Sequence, residues 1–184
     1  LGTVEGMIVC EELATASPAV ALGAGASIGF GATPISHMGS KEQKAKHLPR
    51  IAEGKEKWAM ALTEPAGGTD ILGAMSTQAV DEGDAWVING QKTFISAAHV
   101  ADYIMTIAIT DPDVKRTKGI SVFIVPRETD GLETRLIPKL GCHACGTNEV
   151  YYDNVRIPKE NLLGTLHKGW YELLGVLNPE RIAT

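Results

Sequence analysis

The sequence is poor in cysteine, in aromatic residues and in positive charge. Three cysteines among 184 residues cannot all pair with one another. An odd count suits free thiols in a reducing compartment better than a disulfide scaffold. Lys and Arg number 17 against 22 Asp and Glu, for a net charge of −5. The basic residues are spread along the chain, which argues against nucleic acid as the main partner. No run of eighteen apolar residues occurs, so no membrane span is expected. The chain starts at Leu1 without a basic-then-apolar leader, so no secretory or targeting segment is visible. No internal repeat or low-complexity tract is present. Both ends read as cut. The chain opens in an apolar segment and closes at "ERIAT" without a helix stop signal, as a piece of a longer protein would.

What is present suffices for a core. Apolar residues make up 44 % of the chain, and the length fits one domain or two small ones. Residues 1–56 have helical spacing, with Val4, Met7, Ile8 and Leu13 in the first segment and an Ala/Gly-rich buried stretch "AVALGAGASIGFG" after it. Thr33-Pro34 has the form of a helix start. Ser40 with Gln43 predicts a capping box for "KEQKAKHLPRIAEG", and Gly54 its stop. From 57 to 160 the period becomes strand-like. "AWVINGQKTFIS" predicts two short strands around an Asn89-Gly90 hairpin turn. "ADYIMTIAIT", "GISVFIVP", "LETRLIP" and "NEVYYDNVRIP" follow between Asp, Gly and Pro turns. Residues 161–184 return to helix, with Trp170 and Tyr171 as expected core anchors. The fold class expected is α+β in separate blocks: an antiparallel β-barrel or sandwich flanked by helical segments.

The stretch "ALTEPAGGTD", Ala61–Asp70, interrupts the apolar pattern. Pro65 pushes Glu64 out of the helical region, and Gly67 and Gly68 allow a ligand to approach the backbone. Thr63 and Thr69 add hydroxyls. Such a turn can hold an anionic or heteroaromatic ligand without formal charge. Gly, Pro and Asp are also what a plain loop between strands uses, and composition leaves both readings open. It is no nucleotide-triphosphatase phosphate loop, since no Gly-Lys-Ser/Thr follows, and no βαβ unit makes it a dinucleotide fingerprint.

This stretch resembles the flavin-binding signature of the acyl-CoA dehydrogenases, a Thr-Glu-Pro followed by small residues, a hydroxyl and Asp. "GSKEQKAKHLPRIAEGKEKWAM" resembles the family's approach to that signature, and "INGQKTFIS" its Asn-Gly-x-Lys strand segment. "KGISVFIVPRETDGLE" and "LGCHACGTNEVYYDNVRIPKENLLG" resemble the later strands and the exit into helix, all in the family's order. The resemblance implies residues 1–56 as part of an N-terminal helical domain, 57–160 as a middle β domain and 161–184 as the start of a C-terminal helical domain. It implies FAD as cofactor, with Met60, Leu62, Thr63, Thr69, Phe94 and Ser96 at the flavin. Thr69 stands at the meeting of flavin and acyl-CoA, where the family usually has Ser. Phe94 stands where many members have Trp, and Ser96 where Thr is usual. Taken without the resemblance, Leu62 and Phe94 are ordinary core residues of a barrel.

The reaction implied is α,β-dehydrogenation of an acyl-CoA thioester. A carboxylate takes the α-proton and the β-hydrogen leaves as hydride to the flavin N5. Glu180, just before Arg181 in "LNPERIAT", matches the base position of a minority of the family; the majority place it in a part this chain lacks. Arg181 and Asn178 fall beside the substrate. Asn178-Pro179-Glu180 equally reads as a cap, a first-turn proline and a first-turn acid. The partners implied are an acyl-CoA, an electron-transferring flavoprotein and further copies of the chain in a tetramer or dimer. The location implied is cytoplasmic in a bacterium or the mitochondrial matrix in a eukaryote. An oxidase or monooxygenase relative, and a non-catalytic β module that binds a CoA ligand, are the alternatives. Cys142-His143-Ala144-Cys145 has neither a second cysteine pair nor a βαβ context, so free thiols on a loop are expected and no metal site. His37, His47, His99 and His167 are each isolated in sequence.

Overall fold

The computed structural model describes the backbone of residues 3–183 and the side chains of residues 4–178. Helices come first. They are α1 (Thr3–Ala16), α2 (Pro18–Ser27), α3 (Thr33–Met38) and α4 (Lys41–Ala52), with a π-helical turn over Ile28–Ala32 joining α2 to α3. The expected helix start at Thr33-Pro34 is therefore corrected. Thr33 donates its backbone N–H and, at 3.0 Å, its hydroxyl to the Ile28 carbonyl. The wide turn lets the helix run on into Pro34, which has no N–H to offer. By length and composition the continuous run Pro18–Met38 could cross a membrane, a property that counting contiguous apolar residues misses. Part of it packs against protein, while Val20, Leu22 and Ile28 are exposed. Ile35 is fully buried, and a Cβ on Gly31 would stand 2.5 Å from the Trp58 ring. The Ser40 capping box forms as expected, with Gln43 N–H donating to Ser40 Oγ at 3.1 Å and Ser40 N–H to Gln43 Oε1 at 2.9 Å. Gly54 takes φ +68° just past the end of α4.

Eight strands follow: β1 (Trp58–Ala61), β2 (Gln78–Asp81), β3 (Ala85–Ser96), β4 (Tyr103–Ile109), β5 (Ile120–Pro126), β6 (Leu132–Ile137), β7 (Thr147–Pro158) and β8 (Leu162–Leu163). A one-turn helix, α5 (Ile71–Ala74), lies between β1 and β2, and α6 (Gly169–Ala183) closes the described chain. The sheet order is β6-β7-β3-β2-β4-β5-β8, with β1 on β4. Helical and β blocks are separate, as the sequence pattern predicts. Most pairings are antiparallel, but β1 and β2 each lie parallel to β4.

The expected hairpin at Asn89-Gly90 does not form. β3 runs straight through it and pairs with β7 along its length, with irregularities at Ile88/Gly90 and Lys92/Ile95. Gly90 takes φ +148° while Asn89 stays at negative φ, so the two-residue turn that needs both positive is absent. A Cβ at Gly90 would lie 2.5 Å from Thr77 Oγ1. The glycine serves a close approach of β2's lead-in, a long-range demand that the dipeptide does not reveal.

Strands β4 and β5 are buried on both faces. Ile104, Ala108, Phe123 and Val125 face one core with Ile88, Val150 and Ile157. Met105, Ile107, Val122 and Ile124 face the other with Ile35, Trp58, Leu173 and Leu177, where the helices pack. Coverage on both sides explains their near-continuous apolar sequences. On α6 the buried anchors are Leu173, Val176 and Leu177. Tyr171 is exposed and Trp170 only half-buried, against expectation. Asn178, Pro179 and Glu180 continue α6 rather than capping a new helix.

Candidate active site

Strand β1 delivers Met60, half-buried, and then the buried Leu62 and half-buried Thr63. The chain turns at once: Gly67 N–H donates to the Glu64 carbonyl at 3.1 Å, and an antiparallel bridge joins Glu64 to Gly67. A Cβ on Gly68 would sit 3.6 Å from Thr63 Cγ2, so the bend carrying the exposed Thr69 folds back towards Thr63. Asp70, the acid that ends the motif, caps α5 by accepting from Gly73 N–H at 2.9 Å. Its role is local and structural.

Glu64 is buried and fully used. It accepts from Ser76 N–H at 2.7 Å, Ser76 Oγ at 2.6 Å, Thr77 N–H at 3.0 Å and Lys92 Nζ at 2.9 Å. Burial alone would raise its pKa, but the Lys92 charge and the hydrogen bonds of Ser76, Lys92 and Thr77 bring it down to about 2. Burial pulls Lys92 down to about 8, against the opposing pull of Glu64. The pair is thus ionised at neutral pH. Lys92 Nζ also donates to the Leu62 carbonyl at 3.1 Å, and Thr93 N–H to the Thr63 carbonyl at 2.9 Å. Three bonds therefore clamp Leu62–Glu64 onto β3 at Lys92–Thr93. Neither Glu64 nor Lys92 figured among the expected site residues. They lie 28 positions apart, and no local signal joins them.

One residue beyond the clamp, the β3–β7 register slips and Phe94 takes φ +60°. A bulky residue held there costs about 1–3 kcal/mol and marks a constraint imposed by the surroundings. The Phe94 side chain is 66 % exposed, so the core reading is corrected: the ring is presented outward. Ser96, half-buried, pairs with Thr147, and Ala97 N–H donates to the Gly146 carbonyl at 2.7 Å.

The structure thus brings the Thr63 turn and the Phe94–Ser96 segment together. The backbone bond from Thr93 N–H to the Thr63 carbonyl makes the join, with the exposed Phe94 next along β3, Ser96 two residues on, and Met60 and Leu62 just before the turn. An aromatic face, hydroxyls and backbone fit a flat heteroaromatic ring with a polar edge. Asn178 is exposed on α6, and no contact joins it to this surface among the described residues. The side chains of Glu180 and Arg181 lie outside the described residues. Two cavities lie elsewhere: one of about 240 Å³ beside Leu136, Lys139, His143 and Gly146, and one of about 210 Å³ beside Arg50, Asp102 and Arg127. Neither cavity is lined by Thr63, Phe94 or Ser96.

A second polar cluster is structural. His47 and Glu56 are both buried and 2.9 Å apart, Arg50 Nε donates to Glu56 at 2.6 Å, and Trp58 and Tyr103 stack at 5.0 Å with His47 edge-on to both. Among the described residues no group of His, Cys, Asp and Glu could hold a metal ion.

The middle-domain model of the acyl-CoA dehydrogenases matches residues 59–155, and the N-terminal-domain model of the same family matches residues 1–55. The chain belongs to the acyl-CoA dehydrogenase family. It is 38 % identical over 183 residues to a glutaryl-CoA dehydrogenase of Desulfococcus multivorans, covering 99 % of this chain and 46 % of that protein. It is 44 % identical over 154 residues to a cyclohex-1-ene-1-carbonyl-CoA dehydrogenase of Geobacter metallireducens, covering 83 % of this chain and 40 % of that one. Among solved structures, a glutaryl-CoA dehydrogenase with glutaryl-CoA aligns at TM-score 0.92 and 38 % identity over 96 % of this chain and 45 % of that one. The chain spans about half the length of the curated relatives it matches. The surface at Phe94 therefore belongs to an acyl-CoA dehydrogenase middle domain.

Proposed function

We propose that the complete protein catalyses FAD-dependent α,β-dehydrogenation of an acyl-CoA thioester. The observation that carries this reading is the Thr93–Thr63 backbone hydrogen bond, which holds the Thr63 turn against β3 one residue before the exposed Phe94 with its positive φ. In this reading Phe94 lies against the flavin ring system, Thr63 and Ser96 offer hydroxyls to its polar edge, and Met60 and Leu62 support it. Thr69 stands on the side where flavin and acyl chain meet. A flavin held there would supply the hydride acceptor for the β-hydrogen. Glu180 takes the α-proton, and Arg181 and Asn178 stand on the substrate side of it. Residues 161–184 open a C-terminal helical domain that completes the acyl pocket, and further copies of the chain complete the assembly.

The reading draws support from relatives. An Acetobacterium woodii protein, 38 % identical over 177 residues, is named as a subunit of a caffeyl-CoA reductase–Etf complex. For this protein an electron-transferring flavoprotein is the electron acceptor proposed. The free cysteines fit a reducing compartment, cytoplasmic or mitochondrial.

The test is anaerobic addition of a panel of acyl-CoAs to the full-length protein, followed by its absorption spectrum. Bleaching of the flavin band is expected, and a Glu180→Gln variant should keep the colour and lose the bleaching. Rapid hydrogen peroxide formation in air would point to an oxidase relative instead, and a colourless protein to a binding module.

A further inference from the structure

The Cys142-x-x-Cys145 turn is used by nothing described so far. Cys145 N–H donates to the Cys142 carbonyl at 3.1 Å, closing a four-residue turn over His143 and Ala144. Such a turn holds its end Cα atoms within about 7 Å, inside the range a disulfide spans. Both cysteines are free, Cys142 exposed and Cys145 buried. The ammonium of Lys139 donates to the Cys142 carbonyl at 3.1 Å and also to the Cys145 carbonyl, pinning the two ends of the turn to one point. The 240 Å³ cavity opens beside it, between Leu136–Lys139 and His143–Gly146.

The turn leads straight into the Ser96–Ala97 end of β3. The Gly146 carbonyl accepts from Ala97 N–H at 2.7 Å, and Thr147 pairs with Ser96. A Cβ on Gly146 would collide with the His99 ring, so this junction has no slack.

We propose that Cys142 and Cys145 are a peroxide-oxidisable dithiol whose closure is transmitted to Ser96. The exposed Cys142 sulfur, as thiolate, attacks one oxygen of a hydroperoxide. The O–O bond breaks, the leaving oxygen departs as water or alcohol, and Cys142 becomes a sulfenic acid. The Cys145 sulfur then attacks the Cys142 sulfur. The S–S bond forms, the S–O bond breaks and a water leaves. Two thiols lose two electrons and two protons, and hydrogen peroxide ends as two waters. Lys139 and the turn act as positioning elements. The dithiol needs no flavin chemistry; its transmission to Ser96 rests on the function proposed above.

The test uses the full-length flavin-loaded protein, treated with hydrogen peroxide, alkylated with iodoacetamide and digested with trypsin without reductant. Cleavage after Lys139 and Arg156 releases one peptide, residues 140–156, holding both cysteines. Closure is therefore read within that peptide, whatever cysteines lie elsewhere. The expected result is a peptide two hydrogens lighter and unalkylated, restored by dithiothreitol. Cys145→Ser should instead leave a sulfenic acid on Cys142 that dimedone traps. A peptide alkylated twice after peroxide overturns the proposal, as does sulfinic acid at Cys142 with an alkylated Cys145. The wild-type flavin band should shift on oxidation, and that of Cys142→Ser should not. Closure with an unmoved band overturns the transmission to Ser96. Closure in a protein without flavin contradicts the proposed function and leaves the dithiol standing.

Discussion

Lys92 Nζ stands 2.9 Å from Glu64 Oε1, both side chains buried, and this pair sits beneath the turn that carries Thr63. Removing one partner leaves a buried, unpaired charge, which typically costs about 3–5 kcal/mol. Lys92→Met should therefore destabilise the protein by that order and loosen the clamp on Leu62. The paired change Lys92→Met with Glu64→Gln should cost less than the single change. A double-mutant cycle by chemical denaturation checks this, and additive effects would show the two groups are uncoupled.

Acid should act on the fold in two stages. His47 has its pKa lowered by burial, which outweighs the raising effect of Glu56. The unfolded chain then binds the proton first, and stability falls as pH drops below the ordinary value of 6.5. Glu64 has its pKa lowered to about 2, so its contribution is whole above about 4.5 and drains away as pH falls towards 2. Denaturation midpoints measured from pH 8 to pH 3 should show both limbs. His47→Phe should flatten the upper limb and leave the lower one in place.

Phe94 trades stability for its position. Phe94→Gly removes the positive-φ strain at the expense of chain entropy, and the ring it deletes is largely exposed. The variant should stay within about 1 kcal/mol of the parent, on the stable side, while holding flavin more weakly. Thermal melting and flavin release by gel filtration measure the two effects separately. A large loss of stability would mean the ring packs as core.

Gly31 marks where the helical block meets the sheet. A Cβ there would stand 2.5 Å from the Trp58 ring, which is itself buried in the helix-side core. Gly31→Val should cost about 1–3 kcal/mol by overpacking. Gly6→Ala, where a Cβ meets nothing within 4 Å, serves as the control and should be neutral or slightly stabilising.

Features carried by near neighbours in the chain were legible in the sequence. The Ser40–Gln43 box needs only three residues of helix, and the strand runs of β4 and β5 announce themselves by composition. The Asn89-Gly90 dipeptide misled because its glycine answers to Thr77, in the segment leading into β2. Thr33-Pro34 misled because a π turn upstream absorbed the proline. At the candidate site the family resemblance pointed to Thr63, Phe94 and Ser96, and the structure brings those segments together. The buried Lys92–Glu64 pair and the inverted φ of Phe94 depend on tertiary contacts and register, which no local pattern encodes. Asn178-Pro179-Glu180 resembled a helix start, yet α6 runs through it.

The central claim is that the turn after β1 and the bulge of β3 form one seat for a flavin ring. A crystal structure of the full-length protein with FAD bound tests it most directly. The account predicts the ring system against the Phe94 face, with the Thr63 and Ser96 hydroxyls at its polar edge. A ring bound elsewhere, with Phe94 turned inward or covered by other side chains, would contradict it.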